Sequence, residues 1–210
     1  MQTESSAAPA QAGMAVTVAT EDALRAQLYR LLSRLLAAPP DRALLGLVAG
    51  MEGDETSLGR GLATLATRAC EVAPKAAADE YSDLFIGIGR GELVPFASYY
   101  LTGFLNEKPL ARLRGEMATL GIARAENVRE PEDHIAAVCE MMAGLIEGAF
   151  GDPAPLAVQR RFFERHLAPW APRFFEDLEG AQAADLYRPV GTIGNAFMAI
   201  EEAAFAMIDE

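Results

Sequence analysis

Cysteine, histidine and positive charge are scarce in this sequence, and each scarcity removes a class of function. Cys70 and Cys139 lie far apart and form no CxxC pair. That excludes a disulfide framework, and both are expected as reduced thiols in the core. The two histidines, His134 and His166, are not preceded three residues earlier by glutamate, as a carboxylate-bridged di-metal bundle requires. No apolar run approaches the ~18 residues of a membrane span. Met1 to Ser6 offers no basic region leading into an apolar core, so no secretory signal is read and a cytoplasmic address is expected. Lysine and arginine number 18 against 30 acidic residues, a formal charge of -12. Such a surface disfavours nucleic acid and suits a basic partner.

The usual enzyme signatures are also missing. Gly87, Gly89 and Gly91 are spaced GxGxG, but they follow a helical pattern and lack the third glycine of a dinucleotide fingerprint. There is no GxxxxGK[ST] phosphate loop and no GxSxG elbow. The expectation is a protein that is not an enzyme, with no metal and no cofactor.

What is present is helical periodicity. Residues 1–19, rich in Ala, Gln, Ser and Pro, show no period and are expected to form a disordered N-terminal tail. From Thr20, apolar residues recur at helical spacing, and Pro39-Pro40 ends the first helix. Further helices are expected at about 41–52, 57–72, 75–86, near Tyr99, and at about 107–120, 131–148 and 154–167. Two or three more fill the rest, the last with Val190, Ile193, Phe197, Ile200 and Ala204 on one stripe. The fold class is all-α, a single domain over 20–210 of about nine or ten helices. A polar stretch, 124–130, reads as a hinge between an N-terminal helix group (20–123) and a C-terminal one (131–210). The chain is expected as a monomer whose hinge permits a domain-swapped dimer.

The densest group of ionisable residues is Glu130-Pro131-Glu132-Asp133-His134, followed by Ile135, Val138, Cys139, Met142 and Ile146 at helical spacing. Proline suits the first helical position. Glu132 and Asp133 would then sit in the first turn, where the helix dipole favours negative charge. The dipole would bias His134 toward its neutral form. Asp133 can be a plain cap and His134 a satisfied half-buried histidine. Tyr81 and Phe85, spaced i, i+4, read at least partly as core, and Gly87 as a helix C-cap.

The segment Glu80-Tyr81-Ser82-Asp83-Leu84-Phe85-Ile86-Gly87, with Pro95, Ser98 and Tyr99 beyond it, joins the EPEDH segment and His166-Leu167-Ala168-Pro169-Trp170. Together, over roughly residues 20–208, they resemble the TorD/DmsD family of redox-enzyme maturation chaperones, related to the nitrate-reductase assembly chaperones. The tail before Thr20 is a departure from that family.

The resemblance implies a cytoplasmic chaperone that binds the twin-arginine signal peptide and the apoenzyme of a molybdenum-cofactor oxidoreductase, holding back export until it is folded. It points to Tyr81, Phe85, Pro95, Ser98, Tyr99, Glu130, Pro131, Asp133 and His134 as signal-peptide-binding positions, with Glu132 added as a further carboxylate. A signal with two guanidinium groups and an apolar stretch needs carboxylates beside an apolar groove. The competing readings are a nucleotide- or molybdopterin-binding maturation factor and a structural helical adaptor. Lack of a phosphate-binding motif weighs against the first.

Overall fold

Each periodic segment becomes a helix in the computed structural model of the protein, which describes residues 19–87, 90–124 and 130–207. The first four are α1 (Thr20–Ala37), α2 (Arg42–Ala49), α3 (Ser57–Glu71) and α4 (Pro74–Tyr81), the last running into a π-helical turn at Ser82–Ile86. Then come α5 (Ala97–Thr102), α6 (Lys108–Thr119), α7 (Ile135–Glu147), α8 (Leu156–His166), α9 (Ala171–Gly180) and α10 (Arg188–Ala206). Among the described residues there is no strand, only an isolated antiparallel bridge between Phe96 and His134. The all-α reading therefore holds.

Local chemistry sets several helix starts. Asp41 accepts from Leu44 N–H (2.8 Å) at the head of α2, and Thr56 from Gly59 N–H (3.0 Å) at the head of α3. Each satisfies a donor that has no partner within the helix. Proline opens α4, α6, α9 and α10, where its missing N–H costs nothing.

Packing is built on two axes. α1 lies along α7, while α10 packs on α9 and α3. The α9–α10 crossing depends on glycine: a Cβ on Gly191 would lie 2.5 Å from the Glu179 backbone nitrogen. The two axes are joined by a buried ion pair. Arg25 on α1 reaches Glu201 on α10 at 2.7 and 2.9 Å, and Tyr29 donates to the same carboxylate at 2.9 Å. One contiguous cluster of buried side chains runs through both the N-terminal and C-terminal helices.

Four details differ from the sequence reading or lie beyond it. The helix expected over 75–86 changes pitch after Tyr81. The segment returning after the glycine loop takes its carbonyls, Glu92 N–H donating to Asp83 and Leu93 N–H to Leu84. Gly87 closes that turn at φ +60, a conformation glycine adopts without strain. The helix expected from 131 begins at Ile135 instead, because the EPEDH residues are held by a neighbouring loop. Cys70 is exposed, since the inner face of α3 runs through Leu65, Ala66 and Ala69, while Cys139 is buried as expected. The tail (1–18 of it) and most of the hinge (125–129) lie outside the described residues.

Candidate functional site

The EPEDH segment is a strut between two helices. Its residues Asp133–Ile135 pair with Pro95–Ala97: Ala97 N–H donates to Asp133 C=O and Ile135 N–H to Pro95 C=O, both at 2.9 Å. The two sequence segments that pointed to one another thus touch. Asp133 does cap a helix, but that helix is α5, through Ser98 N–H to Oδ2 at 2.8 Å. His134 caps α7, its Nδ1 accepting from Ala136 N–H at 3.1 Å. Neither Glu132 nor Asp133 belongs to the first turn of α7, and Pro131 is not its first residue. Burial lowers the His134 pKa to about 4 and leaves the ring neutral at pH 7. The Phe96 ring meets it edge-on at 4.9 Å.

The stretch folds through a turn, His134 N–H donating to Pro131 C=O at 3.2 Å, and the turn carries Asp133 away from its neighbours. Glu130, Pro131, Glu132 and His134 line a cleft of about 300 Å³ beside α1 and α7. Asp133 lines a different opening, of about 770 Å³, between α6 and α8.

The first is an acidic, apolar-walled cleft. Met117, Ile122, Ala136, Met141 and Phe150 supply the apolar wall, and Glu140 on α7 adds a third carboxylate beside Glu130 and Glu132. Glu130 and Glu140 are exposed. Glu132 is buried and already engaged, with Arg114 at 2.7 Å and Arg124 at 3.5 Å. Burial pushes its pKa up, yet the Arg114 hydrogen bond and charge outweigh this and hold it below the ordinary value. So Glu132 is ionised at neutral pH and is already paired with two arginines of the chain itself.

The second is a groove of mixed charge. Arg112 and Glu116 on α6 face Arg161, Arg165 and His166 on α8. Glu116 accepts from Arg161 at 3.1 Å and from Arg165 at 3.5 Å, and His166 Nε2 lies 2.9 Å from it. Burial raises the Glu116 pKa, but hydrogen bonds from His166 and Arg161 bring it below normal. Burial also lowers the His166 pKa, more than Glu116 raises it, so the pair is a neutral donor on a carboxylate. Asp133 Oδ1 and, outside the lining, Ser98 Oγ are buried with no hydrogen-bond partner.

Tyr81, Phe85, Pro95, Ser98 and Tyr99 line neither opening. Tyr81 donates to Leu36 C=O at 3.2 Å and Tyr187 to Leu35 C=O at 2.8 Å, satisfying the last turn of α1. Burial, aided by the charge of Glu130, pushes the Tyr81 hydroxyl up to about 12. Phe85 packs on both rings, at 5.0 and 5.5 Å. Pro95 and Ser98 are buried in the strut, and Tyr99 stacks under Arg90. Sequence reasoning missed the α6–α8 groove. Its signals, Arg112/Glu116 and Arg161/Arg165 at i, i+4, were visible, but not that the two helices face each other. Among the described residues no helix is long and apolar enough to cross a membrane, and no three His, Cys, Asp or Glu side chains gather as a metal site.

Comparison with known proteins follows the same lines. A family model described as nitrate reductase delta subunit matches residues 52–176. The Chaperone protein TorD of Vibrio cholerae serotype O1 is 32% identical over 128 residues, covering 58% of this chain and 58% of its own. That match thus spans little more than half the length of this curated relative. The Chaperone protein TorD of Photobacterium profundum is 28% identical over 174 residues, 79% of each chain. Among solved structures, a proposed redox enzyme maturation protein from Archaeoglobus fulgidus superposes with a TM-score of 0.55 at 25% identity, covering 85% of this chain and 94% of that one.

Proposed function

The chain belongs to the nitrate reductase delta subunit family, with the TorD/DmsD redox-enzyme maturation chaperones, and on that premise we propose that it is a cytoplasmic chaperone for a molybdenum-cofactor oxidoreductase. It binds the twin-arginine signal peptide and apo form of that enzyme, assists cofactor insertion and holds back export until the client has folded. The observation that carries this reading is the acidic cleft at the EPEDH strut. Carboxylates there stand beside Met117, Ile122, Met141 and Phe150, a wall suited to the apolar part of a signal. Methionine adapts its shape to different apolar sequences.

In this reading Glu130 and Glu140 receive the signal's guanidinium groups through charge-assisted hydrogen bonds of roughly 1.5–3 kcal/mol each. Glu132 keeps Arg114 and sets the negative potential of the cleft. Asp133 and His134 act as positioning residues, fixing α5 and α7 on either side. Tyr81 braces the last turn of α1, the helix that contributes Ser33 and Ala37 to the cleft, through Leu36 C=O.

The test is calorimetric titration of the full chain with a synthetic twin-arginine signal peptide and its twin-lysine counterpart. The arginine peptide is expected to bind about tenfold tighter, because guanidinium pairs with carboxylate in a bidentate way that ammonium lacks. Binding should weaken as salt rises, since exposed charges are screened over ~8 Å at physiological ionic strength. Equal affinity for the two peptides, independent of salt, would falsify the signal-peptide reading.

A further inference from the structure

The α6–α8 groove is an opening of about 770 Å³, and the signal-peptide reading leaves it unused. Its charge runs against that of the whole chain. In a protein of formal charge -12, the guanidiniums of Arg112, Arg161 and Arg165 line one opening against the carboxylates of Glu116 and Asp133 only. Glu116 occupies Arg161 and Arg165 from one side. Arg112 is exposed and has no hydrogen-bond or ion-pair partner among the described residues. Arg161 and Arg165 remain 43% and 61% exposed at their side chains, so both guanidiniums can accept a second carboxylate.

The groove also has apolar surface in register with that charge. Leu113 and Val138 form its floor, and Leu101 and Pro109 stand at its rim. Leu101 is 42% exposed, and Phe104 and Leu105 follow in the same α5–α6 connection at 70% and 46%. Large apolar side chains left in water beside a charged groove mark an interaction surface.

We propose that the groove between α6 and α8 docks an acidic polypeptide segment, whose carboxylates pair with Arg112, Arg161 and Arg165 and whose apolar side chains cover Leu101 and its neighbours. A compact phosphate fits less well for two reasons on the molecule itself. Two fixed carboxylates, Glu116 and Asp133, already sit inside the groove and repel concentrated negative charge, whereas a peptide spaces its charges along the chain. A small anion would also leave the apolar rim in water. The proposal does not rest on the signal-peptide reading, because the two openings share no lining residue and take partners of opposite charge.

The experiment is fluorescence anisotropy on the full chain. The probe is a short labelled peptide alternating glutamate with leucine and phenylalanine; the control replaces each glutamate with lysine. The acidic probe is expected to bind saturably and to weaken as salt rises. Arg112→Glu, at an exposed position, is expected to lower its affinity about tenfold with the circular dichroism spectrum unchanged. Leu101→Ser should weaken it through the apolar contact. A twin-arginine signal peptide should not displace it, so failure here and failure of the signal-peptide reading are separable. Equal binding of the lysine control, or native affinity in folded Arg112→Glu, overturns the proposal. So does displacement by tripolyphosphate where sodium chloride of matched ionic strength has no effect, because the groove would then be a phosphate site.

Discussion

Two openings flank the start of α7, and they differ in nearly every respect although neighbouring residues line them, Glu132 and His134 the one and Asp133 the other. One is small, apolar-walled and rimmed by Glu130, Glu132 and Glu140; the other is larger, more polar and carries Arg112, Arg161 and Arg165. The difference originates in one turn of chain, Pro131 to His134. Glu132 and His134 line one opening and Asp133, at the turn between them, lines the other. A single strut therefore sets the geometry of two surfaces of opposite charge. The rigid parts are Asp133 and His134, buried and hydrogen-bonded to the heads of α5 and α7, and in the proposed reading recognition belongs to the exposed charges around them.

The largest expected effect breaks both sides at once. Burial places the His134 pKa at about 4 against an ordinary 6.5, so the unfolded chain binds the extra proton more readily. The contribution is complete above pH 6.5 and is lost as pH falls toward 4, by about 3 kcal/mol in all. Urea unfolding at several pH values between 7.5 and 4.5 measures it. His134→Asn keeps a capping oxygen but cannot titrate, and should lack that part of the slope. Identical slopes in the two proteins would show that His134 is not the group responsible.

Next in size is Asp133→Ala, which removes the acceptor of Ser98 N–H at the head of α5. Loss of a cap costs ~1–2 kcal/mol. The unfolding free energy should drop by that amount at constant urea slope, and both peptides should bind less well, since the strut lines both openings. Asp133→Asn retains an acceptor and should cost much less. An Asp133→Ala protein as stable as the native one would mean the strut is held without its cap.

Glu140→Lys acts on one side alone. It should lower twin-arginine peptide affinity about tenfold, equivalent to ~1.4 kcal/mol, with melting temperature and acidic-probe binding unchanged. If the acidic probe weakens equally, the two openings are not independent. The smallest effect is the converse substitution. Arg112→Gln should change twin-arginine affinity by less than about twofold, the scale of a distant exposed charge. A larger change would place Arg112 in communication with the acidic cleft.

The sequence by itself determined the helices, because apolar side chains at i, i+3 and i+4 have no other way to leave water together. It fixed the end of α1 at Pro39-Pro40 and the turn at Gly87, where backbone chemistry decides locally. It also marked Glu130 to His134 as special. What it did not contain was direction. Asp133 was legible as a capping residue, but the helix it caps lies 35 residues away in sequence. Glu132 was legible as a carboxylate, but not that Arg114 holds it. Tyr81 and Phe85 were legible as at least partly core from their spacing, but not that they pack with Tyr187 away from either opening. The basic groove required α6 and α8 to face each other across Glu116 and His166, fifty residues apart in the chain. Helix formation is a local transaction among neighbours along the backbone, whereas charge pairing and side-chain facing depend on which helices meet, and only the tertiary structure decided that.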